Sequence, residues 1–210
     1  TDVEALVGSN QAGLVDTLRG TVAGDTFTVD AVNGNTAGVT GSGTTIAFSD
    51  FENLSGEAGG DVFNMNSGLA GTVDGGIGTD TIVGTATAGN AFLVSDVLNG
   101  DGGTVNGTTF AGVENLTGGA GVDQFTFDAA LSGTASGLGN DDVFNINDNG
   151  SAGTIDGGTE ATAAGDVVTY AGRLTQAADV SFDTFTDVEA LVGSNQAGLV
   201  DTLRGTVAGD

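Results

Sequence analysis

Carboxylates are the main reactive groups that this chain offers. Its 210 residues include 28 Asp plus Glu, three Arg, one Tyr and no Lys, His or Cys. The usual general bases, thiol nucleophiles and nitrogen or sulfur metal ligands are therefore absent or nearly so. Beside the acids, the candidates for an enzymatic site are Arg19, its copy Arg204, Arg173 and Tyr170. We expect from this inventory a protein that is not an enzyme.

One adjacent pair of acids invites comparison with a glycosidase site, which needs two carboxyl groups across a cleft. Asp141 and Asp142 are neighbours in the chain. Because adjacent side chains on a strand point to opposite faces, the two carboxyl groups would not converge. The pair therefore does not change the expectation.

The charge and the apolar content narrow the partners. A net charge of −25 argues against nucleic acid, since every phosphate contact needs a cation on the protein. No run of about eighteen apolar residues occurs, so no membrane insertion is expected in this segment. The 39% of hydrophobic residues, many of them β-branched or aromatic, provide apolar surface to bury. We therefore expect a folded chain rather than a disordered one.

A glycine-rich motif places an acid at a fixed position. Residues 75–83 and 118–126 both fit the pattern G-G-x-G-x-D-x-U-x at every defined position, and their acids are Asp80 and Asp123. Near matches precede Asp61 and Asp141. From the residues alone, such a segment can be a corner, in which Gly supplies a positive φ and Asp caps backbone N–H groups.

The two nonapeptides resemble the calcium-binding repeats of RTX exoproteins. In that family the glycines aim backbone carbonyls inward and the Asp supplies a hard oxygen, while calcium takes six to eight such ligands. The resemblance thus implies Ca²⁺ as a cofactor. The residues that would hold it are Gly76, Gly78, Asp80, Gly119, Gly121 and Asp123, with Asp61, Asp74, Asp141 and Asp156 as further acids. RTX repeats run in tandem whereas these are scattered, so the purely structural corner remains the alternative.

The chain repeats itself at two levels. Residues 1–25 recur unchanged at 186–210, which sets a period of 186 − 1 = 185 residues. The domain prediction is one long repeat over 1–185, with sub-repeats at about 1–47, 48–109 and 110–185, followed by 186–210 as the start of the next repeat. Together these segments are expected to form a single continuous solenoid.

Short alternating segments predict the fold. An Asp precedes two apolar residues in alternation four times, beginning at Asp25, Asp61, Asp123 and Asp142, which is typical of half-buried strands. Gly-Thr-apolar steps such as 71–73, 133–135 and 153–155 predict a second strand on the return path. We predict an all-β, right-handed parallel β-helix or β-roll with Gly-, Asp- and Asn-rich corners and about 19 or more residues per coil. Residues 91–98 are the exception, for which a turn of helix is expected.

Four glutamates and two asparagines mark equivalent places in the sub-repeats. Glu4, Glu52, Glu114 and Glu189 are expected to face solvent or to cap backbone groups rather than to catalyse. Asn53 and Asn115 are expected to form stacked Asn turns.

The segments VENLTGGAGVDQFTF and GTVDGGIGTDTIVG are similar to those of giant repetitive bacterial exoproteins of the filamentous-haemagglutinin-like and RTX-like adhesin type. The resemblance implies a structural repeat of a secreted or surface-anchored fibre, stalk, biofilm or matrix component at the bacterial cell surface. Its partners would be itself, end to end or in lateral bundles, and surface or matrix polysaccharide. The alternative is a calcium-dependent module that binds carbohydrate, ice or a mineral surface.

Overall fold

The computed structural model describes residues 5–9, 11–31, 34–41, 44–181 and 184–204. Within these ranges the chain is built from short β-strands. No helix there has the length and apolarity needed to cross a membrane. Because strands make up almost all of the regular structure in the described residues, the all-β prediction is confirmed.

The strands are numbered along the chain. The first eleven are β1 Ala5–Val7, β2 Thr17–Arg19, β3 Thr26–Val29, β4 Gly34–Gly41, β5 Thr44–Ser49, β6 Asn53–Ser55, β7 Val62–Met65, β8 Thr72–Asp74, β9 Thr81–Val83, β10 Ala91–Val94 and β11 Gly103–Val105. The others are β12 Thr108–Ala111, β13 Asn115–Gly119, β14 Gln124–Phe127, β15 Ala130–Gly139, β16 Val143–Ile146, β17 Ser151–Thr159, β18 Val167–Thr169, β19 Asp179–Ser181, β20 Phe185–Thr186, β21 Ala190–Val192 and β22 Thr202–Arg204.

Two long sheets hold most of these strands. In the described part of the chain, sheet I has the order β1-β5-β4-β3-β7-β9-β13-β15-β17-β20 and sheet II the order β2-β6-β8-β12-β11-β10-β14-β16-β18-β21. From β13 to β18 the chain alternates between the two sheets, and each strand pairs in parallel with the next strand of its own sheet. Strands β19 and β22 form a third, two-stranded sheet. This architecture is compatible with the predicted solenoid.

The apolar core lies where every second residue of each strand points inward. Strands β3, β7 and β16 all show the alternation of half-buried and buried residues that the sequence predicts. Phenylalanines on neighbouring strands stack face to face, with ring centroids 4.6 Å apart for Phe92 and Phe125 and 4.8 Å for Phe125 and Phe144. Because paired strands lie about 4.8 Å apart, equivalent inward residues meet directly and form continuous columns.

Two antiparallel meanders interrupt the parallel winding. Strands β3, β4 and β5 form one meander within sheet I, and β10, β11 and β12 form the other within sheet II. The second overturns the expected turn of helix at 91–98, because Ala91–Val94 is strand β10 and its Phe92 packs into the core. A segment of alternating apolar residues is stabilised here by pairing on both sides, which outweighs any local helical tendency.

Candidate functional site

Most of the aspartates that precede strands are buried, although Asp16 is half-buried and Asp201 is exposed. Six of them directly precede a strand, with at most 2% of their surface exposed: Asp25, Asp61, Asp80, Asp123, Asp142 and Asp166. An ionised carboxyl group is costly to bury unless hydrogen bonds satisfy it. Each of these carboxyl groups therefore needs a donor inside the protein.

The donors are backbone N–H groups of the neighbouring coil. Asp25 N–H donates to Oδ1 of Asp61 over 2.6 Å, and Asp61 N–H donates to Oδ1 of Asp80 over 2.7 Å. Asp80 N–H then donates to Oε2 of Glu114 over 2.7 Å. We call this series ladder I. It links successive coils at the residue that comes just before each strand.

A second series has the same construction. Asn90 N–H donates to Oδ1 of Asp123, and Asp123 N–H donates to Oδ1 of Asp142 over 2.7 Å. Asp142 N–H reaches Oδ1 of Asp166 over 2.6 Å, and Asp166 N–H reaches Oε2 of Glu189 over 2.7 Å. We call this series ladder II. By strand register the equivalent of Asp123 is Asp142, and not Asp141 as the near match of the motif indicates.

The repeated glutamates are acceptors for these ladders. Glu114 accepts the last N–H of ladder I and Glu189 that of ladder II, while Glu52 accepts the N–H of Asp16 over 2.8 Å. For these three the backbone-capping alternative is confirmed, and Glu4 lies outside the described residues. The Glu side chain is one methylene longer than Asp, so it can reach the same donor from a different backbone position.

A glycine makes room for each ladder acid. A Cβ on Gly137 would lie 2.0 Å from Oδ2 of Asp142, and a Cβ on Gly118 would lie 2.1 Å from Oδ2 of Asp123. Because no side chain can occupy such a position, the glycine five residues before the acid is required by close approach rather than by its backbone angles. This explains the five-residue interval between Gly and Asp in the two nonapeptides, whereas Asp166 is accommodated by Gly157, nine residues before it.

The other glycines of the two nonapeptides also sit at crowded places. Gly76 has a φ of +96°, which suits the predicted corner. A Cβ on Gly78 would lie 1.6 Å from the carbonyl oxygen of Gly59, and one on Gly119 would lie 2.3 Å from that of Thr85. Gly121 packs in the same way against the backbone of Ala88. These glycines bring backbone of adjacent coils into contact.

The remaining predicted acids lie outside the ladders. Asp74 ends strand β8 with its side chain exposed, and Asp156 lies within β17. Burial raises the pKa of Asp156, and the charge of Asp187 adds to the effect. Asp141 accepts the N–H groups of Ala161 and Thr162, both over 3.0 Å. Burial raises the pKa of Asp80 and the charge of Asp74 adds to the effect, but among the described residues these acids do not form a cluster of three or more carboxylates with Asp80 or Asp123.

Several ladder carboxyl groups hold an oxygen that has no partner. The buried Oδ2 atoms without a hydrogen bond are those of Asp61, Asp80, Asp142 and Asp166, whereas Oδ2 of Asp123 accepts the N–H of Gly119 over 2.6 Å. Burial, followed by the charges of neighbouring acids, raises the pKa of Asp61 to about 6 and that of Asp142 to about 7. The ladder N–H groups oppose this shift without cancelling it. These two carboxyl groups therefore take up protons much closer to neutral pH than an exposed aspartate does.

Asn53 and Asn115 have a role that the sequence reasoning missed. Both lie in strands, and their Oδ1 atoms accept the N–H groups of Thr72 over 2.8 Å and Thr134 over 3.0 Å. The expected stacked Asn turns are therefore wrong, because each side chain bonds the backbone of a neighbouring strand and not an equivalent Asn. The Gly-Thr steps are explained as well, since a Cβ on Gly71 would lie 2.1 Å from Oδ1 of Asn53.

The candidate enzymatic residues of the sequence make structural contacts. Arg173 donates to the carbonyl oxygens of Ala177 and Gly150 and lies 4.9 Å from the ring centre of Tyr170. Arg19 pairs with Glu57, and Arg204 pairs with Asp179. A cavity of about 220 Å³ adjoins Tyr170 and Arg173, with Asp179 on its wall. Each guanidinium thus has at least one partner, while Nε of Arg173 is buried without one.

One group of acids comes together that the sequence did not single out. Glu160, Asp166 and Glu189 each place a carboxylate oxygen within 4.8 Å of the other two. Glu160 and Asp166 are six residues apart and Glu189 follows 23 residues after Asp166, and all three lie outside the glycine-rich nonapeptides. Searches of family models, curated proteins and solved structures found no match for this chain.

Proposed function

We propose that the chain is a structural repeat of a long secreted or surface-anchored bacterial fibre or adhesin, wound as a right-handed β-solenoid of about 19 or more residues per coil. Residues that pair across the central coils, such as Phe125 and Phe144, are 19 apart, which supports that coil length. The observation that carries the proposal is how the two copies of the repeated 25-residue segment pair with the rest of the molecule.

The first copy pairs through one edge of its strands. Strand β1 lies parallel to β5, and Gly8 N–H donates to the carbonyl oxygen of Ser49 over 2.8 Å. Strand β2 lies parallel to β6, with Gly20 N–H donating to the carbonyl oxygen of Ser55 over 2.7 Å. In both strands the backbone N–H and C=O groups of the even-numbered residues therefore point toward the rest of the sheet.

The second copy pairs through the opposite edge. Strand β21 lies parallel to β18, where Ala190 N–H donates to Asp166 and Tyr170 N–H donates to Val192. Thr202 N–H of strand β22 donates to Ala178. With the period of 185 residues, 190, 192 and 202 correspond to 5, 7 and 17, which are odd-numbered. Successive residues of a strand point their backbone groups to opposite sides, so the two copies use complementary edges.

One copy of the segment can consequently serve two repeats at once. In a tandem array, its strand Ala190–Val192 would pair with β18 on one side and with the β5 of the following repeat on the other. Sheet II of one repeat would then continue into sheet I of the next. Each repeat would lengthen the rod by on the order of 45 Å, given ten strands per sheet at about 4.8 Å.

The burial of one side chain supports such a junction. Leu18 of the first copy is 7% exposed beneath β6, whereas its equivalent Leu203 is 60% exposed. A following repeat would cover Leu203 as β6 covers Leu18. The apolar surface that is open at this end is thus of the kind that the same molecule buries at its other end.

The rows of outward-facing residues on the sheets favour a fibre over a module that binds ice or a mineral surface. One row of paired residues in sheet I runs Thr28, Asn64, Val83, Thr117 and Ser136. A module that binds ice or a mineral through threonine needs a uniform row. The mixed row gives that alternative little support, and carbohydrate or calcium-dependent binding remains the second candidate.

The test is a chain with two complete repeats compared with the present one. Small-angle X-ray scattering is expected to show a maximum dimension larger by about 45 Å and an unchanged cross-section. Hydrogen exchange provides the matched control within the chain, because the amide of Ala190 is paired in both proteins and that of Leu191 only in the longer one. A two-repeat chain that is thicker but not longer, or in which Leu191 exchanges as before, would contradict the proposal.

A further inference from the structure

The acids Glu160, Asp166 and Glu189 form a cup that opens to solvent. Asp166 lies at its base with no exposed surface, and Glu160 and Glu189 are exposed at its mouth. One oxygen of each carboxylate lies within 4.8 Å of the other two. Since calcium bonds oxygen at about 2.3–2.6 Å, one ion can contact all three.

One oxygen of the acid at the base of the cup has no hydrogen-bond partner. Oδ1 of Asp166 accepts the N–H of Asp142 over 2.6 Å, while its Oδ2 is buried and has no hydrogen-bond partner. A buried carboxylate oxygen without a donor is costly unless a proton or a cation compensates it. Of the ladder acids with such an oxygen, Asp166 is the one that the described residues combine with two exposed carboxylates within ligand distance. An ion held between the exposed carboxylates of Glu160 and Glu189 would lie beside this side chain.

No basic side chain compensates the cup among the described residues. Arg19 is held by Glu57 and Arg204 by Asp179, and Arg173 donates to the carbonyl oxygens of Ala177 and Gly150. The chain has no lysine or histidine to take their place. Three negative groups thus face one another without a counter-charge from the protein.

Two of the three carboxylates, and the backbone beside the third, are held in position before any ion arrives. Oε2 of Glu189 accepts the N–H of Asp166 over 2.7 Å, and Asp166 is fixed in turn by Asp142. The segment that follows Glu160 is tied down by Asp141, which accepts the N–H groups of Ala161 and Thr162. Binding then requires little ordering of the ligands, which favours affinity.

We propose that Glu160, Asp166 and Glu189 bind one calcium ion and so join the coil that contains β18 to the coil that contains β21. The ligand set contains only carboxylate oxygens, which suit a hard divalent cation and not a transition metal that prefers nitrogen or sulfur. Water completes the coordination on the exposed side. The site is separate from the glycine-rich nonapeptides, and it does not depend on the fibre function.

The test follows the backbone amide signals of the full ¹⁵N-labelled chain by NMR during a CaCl₂ titration after removal of calcium by EGTA. The amide signals of Gly165, Asp166 and Glu189 are expected to shift until the site is saturated. In the Glu160→Gln variant, the apparent calcium affinity obtained from these shifts is expected to be at least about tenfold weaker. Glu57→Gln removes the same charge elsewhere and is expected to leave those shifts unchanged. Glu160 is exposed, so circular dichroism of E160Q should match the unsubstituted chain.

The other outcomes overturn the site. Shifts confined to residues 75–83 and 118–126 would place calcium at the nonapeptides instead. Equal loss of affinity in both variants would mean that the ion responds only to the net charge of −25. Magnesium that reproduces the shifts at the same concentration would remove the assignment to calcium. None of these results affects the rod length that tests the fibre proposal.

Discussion

At the scale of the residue, the molecule depends on acids that it buries rather than exposes. Asp61 and Asp142 have carboxyl groups raised in pKa by burial, and both accept a backbone N–H from the coil before. Asn90 occupies the corresponding place in ladder II without a charge, and its Nδ2 donates to carbonyl oxygens of Thr85 and Ala88. A neutral side chain is therefore satisfied at the first position of ladder II, where its Oδ1 accepts the N–H of Thr85 in the same corner.

The raised pKa of Asp61 predicts how stability depends on pH. Its carboxyl group titrates near 6 in the folded protein and near 3.8 when unfolded, so the folded state binds the proton more tightly. The contribution to stability is present below about pH 4 and is lost as the pH rises through 6, up to about 3 kcal/mol. Asp61→Asn is expected to stabilise the protein at pH 7 and to flatten this pH dependence, as measured by urea unfolding between pH 4 and 8.

Asp179 provides a control, because its pKa is shifted in the opposite direction to that of Asp61. Its pKa is lowered by the hydrogen bond from Arg204, so its contribution is present at neutral pH and lost in acid. Asp179→Asn should therefore give no stabilisation at pH 7. If D61N were less stable than the unsubstituted chain at pH 7, the ladder carboxyl groups would have to be ionised and satisfied, contrary to the description above.

At the scale of the element, adjacent coils meet through glycine backbone. Gly137 in β15 is buried, and a Cβ there would meet both Oδ2 of Asp142 at 2.0 Å and the carbonyl oxygen of Gly157 at 2.6 Å. Two residues later in the same strand, a Cβ on Gly139 would find its nearest neighbour at 3.5 Å. The same strand thus contains a glycine that is required and one that is not.

This contrast gives a paired prediction for strand β15. Gly137→Ala is expected to destabilise the protein by about 2 kcal/mol or more, because backbone of the next coil has to move. Gly139→Ala is expected to change the stability by less than about 1 kcal/mol, since the added methyl group makes ordinary contacts. Chemical denaturation of both variants measures the difference. Similar values for the two would show that coils do not approach each other closely at Gly137.

At the scale of the whole molecule, the strong negative charge and the open strand edges have opposite effects on contact between molecules. The net charge of −25 already includes the three arginines, and two of them form the ion pairs of the described residues, both at the surface. Such charge opposes lateral contact between rods. The open edges of β21 and β22, with Val192 44% and Leu203 60% exposed, favour contact end to end instead.

The exposed leucine at the open edge predicts weak self-association. Sedimentation velocity of the present chain is expected to show dimers and longer species that increase with concentration, and Leu203→Lys is expected to suppress them. Leu98→Lys is the matched control, because Leu98 is 89% exposed but lies in the turn after β10. If both variants suppress association equally, the added charge and not the edge is responsible.

The amino-acid sequence by itself determined several strands and the acids that precede them, although residues 91–94 were expected to be helical. The alternation after Asp61, Asp123 and Asp142 is a local property, because successive side chains of a strand point to opposite faces wherever the strand lies. The shared interval of 19 residues between acids also reflects local chain length per coil. One further local signal went unused, since Asn106-Gly107 forms the two-residue turn of a hairpin, with φ of 48° and 88°.

Only the tertiary structure decided which groups meet. The partner of each ladder acid lies 19 to 36 residues away, and the separation changes with each insertion between coils. The capping by Glu114, the choice of Asp142 over Asp141, and the meeting of Glu160 with Glu189 all depend on the register in which one coil stacks on the next. That register is set by the packing of the inward side chains, such as the column through Phe125, and local sequence patterns do not encode it.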